Sequence, residues 1–335
     1  MAPLRFGIIA CSNVARRRFL PALRNSTLAR LERIGSRDSA KAEQFAREFS
    51  CAKFGDYETV LADPDVDIVY ISTPPSLHHD WVLKAANAGK HIWCEKPAFS
   101  DYRTAVKSVE RCQAAGVWLI EGFVFKYHPQ HAKAKSIIAG QKIGVPRFMY
   151  SEFTYPRPAD GDIRLKPDLE GGVFHDSAGY PVAAALLQMP SKPAEVFCQL
   201  GKDSATGVDD SFTMWLRFSG GETAQLLSGF GLQYRSTYAI LGTHGRLSVN
   251  RAFSVAPNMK ATLQLETDTG DETVSVDPAD QFLLMIDDVA RGIQDGDKAK
   301  KSAFESDLLR QHAVMDAAGR SHREKHIVDL SEYSL

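Results

Sequence analysis

The sequence carries almost no net charge: over its 335 residues, 40 Lys and Arg stand against 41 Asp and Glu, a formal balance of −1 at neutral pH. No global basic field draws it to nucleic acid or to an anionic membrane, so any anion it binds is held by a local site. Cysteine is scarce. The five thiols, Cys11, Cys51, Cys94, Cys112 and Cys198, are odd in number, scattered, and form no C-x-x-C pair. That speaks against a disulfide framework and a structural zinc site, and for reduced thiols in a cytoplasm with no bound metal. Long apolar runs are missing too. None approaches the ~18 residues of a membrane span, and the stretch after Arg5 is too soon interrupted for a signal peptide. The expectation is a cytoplasmic protein with neither nucleic acid nor membrane as partner. Repeats and low-complexity tracts are likewise absent.

What is present is the composition of a globular protein, 44% hydrophobic and 24% charged, and a length that suits two domains of about 100–200 residues with a cleft between them. Over residues 1–122, short β-branched apolar runs alternate with amphipathic stretches, the pattern of a parallel sheet covered by helices on both faces. Strands are expected near Leu4 to Ala10, Leu31 to Ser36, Asp67 to Ser72, Lys90 to Cys94 and Val117 to Glu121. Helices are expected over Ser39 to Phe49 and His78 to Ala88, with Gly89 and Gly116 where helices stop. Over residues 123–335 the texture becomes that of an α+β domain with an open, mostly antiparallel sheet. Its strands lie near Glu195 to Leu200, Ser211 to Phe218, Thr223 to Ser228, Thr237 to Gly242 and Thr262 to Glu266. One helix over Phe174 to Gln188 interrupts early, and two more, Ala279 to Gly292 and Ser306 to Gly319, close the chain. The stretch Asp160 to Gly172 reads as a long loop.

The first strand leads into Ala10-Cys11-Ser12-Asn13-Val14-Ala15, which has the position and spacing of a dinucleotide-binding turn written A-x-S-x-x-A in place of G-x-G-x-x-G. Small residues still let a backbone approach a pyrophosphate at a helix N-terminus. At the end of the second strand, Ser36-Arg37 and then Lys41 offer a hydroxyl, a guanidinium and an ammonium where an NAD-type site carries an acid, a set suited to a 2′-phosphate. Asp38 or Ser39 also reads as a helix cap. Arg16, Arg17 and Arg18 follow as a mostly solvated face. Thr73, Pro74 and His78 end the third expected strand, and Glu95 and Lys96, before Pro97, end the fourth. Both fall on the edge where ligands sit in such sheets, so Thr73, Pro74, His78, Glu95 and Lys96 are expected cofactor contacts. His78 and His79 are sequence neighbours and point apart on a helix, which leaves a metal reading weak.

The Glu95-Lys96-Pro97 turn, the segment Thr73-Pro74-Pro75-Ser76-Leu77-His78, and Gly171-Gly172-Val173-Phe174-His175-Asp176-Ser177-Ala178-Gly179-Tyr180-Pro181 together resemble the Gfo/Idh/MocA oxidoreductases over nearly the whole chain. The resemblance implies a Rossmann domain followed by an α+β domain, NADP(H) or NAD(H) as cofactor, a sugar or polyol as substrate, and a dimer or tetramer joined through the open sheet. The segment from Glu121 to His131 and the loop Gly161-Asp162-Ile163-Arg164 are similar to the nucleotide-sugar C-3 ketoreductases, with dihydrodiol and xylose dehydrogenases close by. Departures are Ala10 and Ser12 for turn glycines, and Glu170, Phe174 and Ala178 within the Asp176 motif.

From that resemblance, Lys96, Tyr180 and Asp176 become the expected catalytic residues of an NADPH-dependent keto-sugar reduction, and Tyr127, His128 and Arg164 join Asp176 and Tyr180 as expected substrate contacts. On one helix Asp176 and Tyr180 are i and i+4 and share a face. Tyr180 would give the proton and Lys96 would favour its phenolate. The alternatives are a sugar or dihydrodiol dehydrogenase working oxidatively, a redox-neutral glycosidase relative, and a non-catalytic dinucleotide sensor.

Overall fold

The computed structural model describes residues 2–333. Strands β1 (Leu4–Ile9), β2 (Ala29–Gly35), β3 (Lys53–Gly55), β4 (Ile68–Ile71), β5 (His91–Cys94) and β6 (Leu119–Glu121) form a sheet in the order β3-β2-β1-β4-β5-β6. Every pairing in it is parallel. The four residues of β4 are all buried, as parallel strands covered on both faces require. On one face Phe19 stacks on Tyr70 with centroids 3.8 Å apart and meets Trp93 edge-on at 5.4 Å. On the other, Ile9, Val69, Ile71, Ile92 and Leu119 join helix residues Val82, Ala85 and Val109. Strand β3 was not among the expected ones, because three residues carry too little periodicity to be read. The strand order reverses between β1 and β4, the switch point of a doubly wound sheet.

The chain separates into two compact units: Met1–Gly122 with Phe282–Leu309, and Phe123–Gln281 with Arg310–Leu335. The first therefore differs from a continuous 1–122 domain by one late segment. Its helix Gln281–Gln294 brings Asp287 to the Ser26 hydroxyl and Gly292 against the Trp118 ring, and farther on Leu308 enters the core of the parallel-sheet unit.

In the second unit, β7 (Pro146–Tyr155), β8 (Pro193–Lys202), β9 (Asp209–Phe218), β10 (Thr223–Phe230), β11 (Arg235–Gly242), β12 (Gly245–Val249), β13 (Ala261–Thr267), β14 (Gly270–Val276) and β15 (Val328–Asp329) lie in the order β14-β13-β12-β11-β7-β10-β9-β8-β15. The pairing of β7 with β10 is parallel and the other pairs are antiparallel. Alternation sorts the faces: Phe212, Met214, Leu216 and Phe218 of β9 are buried, while Thr213 between them is exposed. The helix Gly179–Gln188 lays Val182, Ala183, Ala184 and Ala185 into that core, and its small residues let it approach the sheet closely. Strand β7, central to the sheet, together with β12 and β14, was absent from the expected set.

The single helix expected over Phe174 to Gln188 is two helices, Val173–Asp176 and Gly179–Gln188. Ser177 departs from helical geometry at φ −125°, and its hydroxyl lies 2.7 Å from that of Ser228 on β10. Tethering to the sheet breaks the helix, so Asp176 and Tyr180 do not share a helix face as i and i+4.

Candidate functional site

Two clusters hold the chemistry-bearing side chains, one in each unit. In the first unit they sit at the carboxyl ends of β1, β2, β4 and β5. Ala10 has φ +83°, the left-handed region where glycine is at ease and a Cβ is strained. The turn is wound by hydroxyls: Ser12 donates to Ser72 at 2.8 Å, Ser72 donates to the Ala10 carbonyl at 3.1 Å, and Ser12 accepts from the Ala15 amide at 3.1 Å. Asn13 is exposed and Val14 half-buried. Cys11 is buried with its thiol toward the Gly35 carbonyl, and burial raises its pKa to about 11, so it is an inert neutral group. The run Ala15–Phe19 is π-helical, and Arg16 pairs with Glu48 at 2.7 Å.

At the end of β2, Ser36 is buried and accepts from the Asp38 amide at 3.2 Å, while Asp38 accepts from the Ala40 and Lys41 amides as the cap of the helix Ser39–Glu48. With the carboxylate of Asp38 turned to the backbone, Arg37 and Lys41 stand exposed. At the end of β4, Thr73 is buried and its Oγ1 has no hydrogen-bond partner among the described residues, an orphan that a bound ligand would satisfy. Beside it, the Pro74 ring is half-buried.

His78 takes a different place from the direct cofactor contact expected. It is buried, with Nε2 2.8 Å from the Thr73 carbonyl and Nδ1 2.9 Å from the Pro97 carbonyl. The imidazole thus lies between the β4 loop and the Lys96-Pro97 turn, where the peptide bond is cis, and in its neutral form it donates to one of the two carbonyls. Burial lowers its pKa. Glu95, also expected at the cofactor, accepts from the Tyr70 hydroxyl at 2.6 Å, and burial raises its carboxyl. From the next strand, Glu121 accepts from the Ala98 amide at 2.8 Å. Lys96, half-buried, is carried on a turn fastened by the Glu95 carboxylate before it and by the buried His78 and Glu121 after it.

The second unit's cluster forms around Asp176. Its Oδ2 accepts from the Tyr155 hydroxyl at 2.7 Å and forms an ion pair with Arg164, whose Nε lies 3.3 Å away. Arg164 also reaches Asp162 at 3.6 Å and lies over the Tyr155 ring, 5.9 Å from its centroid. Burial works against the Arg164 charge, yet the two carboxylates outweigh it and raise its pKa. Burial first, then the Asp176 charge, hold the Tyr155 phenol far above its ordinary value, so it is a donor only. Gly171-Gly172 makes the turn that delivers this segment. Gly172 has φ +109°, and a Cβ there would fall 2.4 Å from Oδ1 of Asp209, whose carboxylate receives the Phe174 amide.

The Tyr180 ring is boxed by Phe123, Phe125, Phe153 and Phe253 at centroid distances of 5.6, 5.8, 5.0 and 5.5 Å, leaving the phenol little freedom of direction. Tyr127 ends a short 3₁₀ turn and is half-buried. His128, expected at the substrate, is fully buried in this chain and caps the helix Pro129–Ala139 through Nδ1, while Nε2 has no partner among the described residues. Sequence reasoning missed Tyr155. The available signal was an aromatic residue at the last position of a strand, immediately before Pro156-Arg157-Pro158. Among the described residues no group of three or more His, Cys, Asp or Glu could hold a metal ion, and no helix is long and apolar enough to cross a membrane.

Two family models match: the oxidoreductase family with NAD-binding Rossmann fold over residues 4–123, and the GFO/IDH/MocA C-terminal domain over residues 131–248. The chain is 31% identical to a dTDP-3,4-didehydro-2,6-dideoxy-alpha-D-glucose 3-reductase of Saccharopolyspora spinosa, with 96% of this chain and 98% of that protein covered. It is 34% identical to a D-xylose 1-dehydrogenase (NADP(+)) of Haloferax volcanii, over 90% of this chain and 93% of that one. The crystal structure of a 3-ketoreductase from Actinomadura kijaniata in complex with NADP and TDP-benzene superposes with a TM-score of 0.91 at 32% identity, covering 95% of this chain and 98% of that chain.

Proposed function

The chain belongs to the Gfo/Idh/MocA family of oxidoreductases, and from that premise we propose that it reduces a nucleotide-linked keto-sugar with NADPH. It is an NAD(P)-dependent oxidoreductase acting on sugars. The reading rests on one observation above others: full-length similarity to 3-ketoreductases extends to a structure that holds NADP together with a TDP-linked ligand. The residues present fit the cofactor. Among the described residues the buried Thr73 hydroxyl has no partner, beside the hydroxyl-wound Ala10 turn, and the β2 end presents Arg37 and Lys41 while Asp38 caps the following helix through Oδ1. Ala10, Cys11, Ser12, Asn13 and Val14 would line the pyrophosphate through their backbone, and Ser36, Arg37 and Lys41 would face the 2′-phosphate.

When bound, the nicotinamide supplies the hydride. Tyr180 would deliver its Oη proton to the substrate oxygen, and Lys96, as a cation, would stabilise negative charge that develops on the substrate. Asp176 accepts from a substrate hydroxyl and orients it. Arg164 is already matched by Asp162 and Asp176, which suits it better to neutral sugar hydroxyls than to a phosphate. A cytoplasmic setting accords with five free cysteines. Self-association through the outer face of the sheet accords with the half-buried aromatics Phe197 and Trp215, paired across β8 and β9.

The oxidative direction is the second reading, favoured by the 34% identity to an NADP-dependent xylose dehydrogenase. Paired assays separate the two: NADPH oxidation with dTDP-keto-sugars, and NADP reduction with free aldoses. Turnover only in the second assay would reject the ketoreductase reading.

A further inference from the structure

Tyr155 ends β7 and Asp176 lies 21 positions later, beyond a long loop, yet the phenol and Arg164 Nε converge on the same carboxylate oxygen, Oδ2, at 2.7 and 3.3 Å. Resting on the keto-sugar reading, we propose that Tyr155 and Arg164 are positioning residues that hold Asp176 as a fixed, ionised acceptor, so that Asp176 orients a substrate hydroxyl and takes no part in moving the proton.

Three facts carry this. A phenol donating to one oxygen and a guanidinium charge paired with the same oxygen both favour the ionised form, and the phenol's hydrogen bond constrains its direction. The phenol is itself kept protonated by its setting, so it donates to the carboxylate and does not take a proton from it. The backbone that presents Asp176 is fixed on both sides: before it by the Gly172 turn on Asp209, after it by Ser177 on Ser228. The charged and titratable groups seen to act on the arrangement include Tyr155, Arg164 and Asp162, with Tyr180 close enough to bear on the Arg164 charge. The carboxylates of Asp162 and Asp176 both face the Arg164 guanidinium and are hydrogen-bond acceptors. That suits the hydroxyls of a sugar ring.

The test follows the carboxyl ¹³C resonance of Asp176 in the full-length protein through a pH titration, assigned by its loss in Asp176→Asn, for wild type, Tyr155→Phe and Arg164→Lys. Removing a hydrogen bond to a charged group should raise the proton affinity of Asp176 in Tyr155→Phe about tenfold or more. Arg164→Lys, which keeps the charge, should shift it less. In turnover assays Tyr155→Phe should lower kcat about tenfold and move the acid limb of its pH profile upward, with NADPH binding unchanged. An Asp176 titration that is the same in all three proteins overturns the proposal. So does a kcat–pH limb in wild type that Asp176→Asn abolishes while Tyr155→Phe leaves it in place. If Tyr155→Phe does not fold, Arg164→Gln reads the same titration. A shifted titration in a protein that turns over no keto-sugar would sustain the positioning role and reject the ketoreductase reading instead.

Discussion

The two clusters are built by opposite means. At the parallel sheet, the groups that shape the site are backbone carbonyls, amides and hydroxyls, locked by buried side chains: Ser12 and Ser72 wind the first turn, and His78, Tyr70 with Glu95, and Glu121 fasten the turn of Lys96. At the antiparallel sheet the groups are three ionisable side chains: Arg164 on the loop, Asp176 on the short helix that follows it, and Tyr155 at the end of β7. On the proposed function the first cluster would meet the pyrophosphate, which NAD and NADP share and which backbone geometry can cradle. The second would meet the substrate, which varies, and side chains on and beside a loop change without disturbing the sheet.

Substitutions that separate the two clusters should do so by size of effect. Lys96→Ala and Tyr180→Phe, one from each unit, should each reduce kcat by about 10²–10⁴-fold, the usual worth of a positioned proton-transfer group, with the dissociation constant for NADPH nearly unchanged in Tyr180→Phe. Normal turnover in either variant would falsify its catalytic assignment.

Acid should weaken both units by one physical route. His131, fully buried, accepts from the Tyr238 hydroxyl at Nδ1 and donates to the Ala252 carbonyl from Nε2, and burial lowers its pKa from 6.5 to about 3. His91 accepts the Trp118 amide at Nδ1 and is lowered by burial to about 4. In each case the unfolded chain takes up a proton that the folded protein refuses. The stabilisation is therefore complete above about pH 6.5 and is lost progressively as pH falls toward the folded value, by about 2 kcal/mol per histidine at pH 5. Urea midpoints at pH 7.5 and 5 check this, and His131→Asn should be less stable at pH 7.5 but lose part of the slope.

Arg37→Ala bears on the first cluster alone. It should cut the preference for NADPH over NADH about tenfold, as loss of a charge-assisted contact does, and fluorescence titration with each cofactor reads it. An unchanged ratio would move the 2′-phosphate contact to Ser36 or Lys41. The smallest effect belongs to Ala10→Gly. Relief of the left-handed strain should raise stability by ~1 kcal/mol or less, since glycine also loosens the unfolded chain.

Much of the first cluster was legible in the sequence because its parts are contiguous: Ala10 to Ala15, Thr73 to His78 and Glu95 to Pro97 each lie on one strand end. Legible position did not convey orientation. His78 and Glu95 read as ligand contacts, and packing turned them inward onto a carbonyl pair and a phenol. In the second cluster, Asp176 and Tyr180 were found by motif, but the helix expected to align them is broken at Ser177.

By itself the sequence determined the alternation of strands and helices that makes the first domain doubly wound, and the run of mostly antiparallel strands in the second, because periodicity of apolar residues is a local property set by backbone geometry. Only the tertiary structure decided that a late helical segment completes the first unit, that Tyr155 meets Asp176, and that His128 is a cap. These depend on which distant side chains share a buried space, where an unmatched polar group is too costly to leave alone.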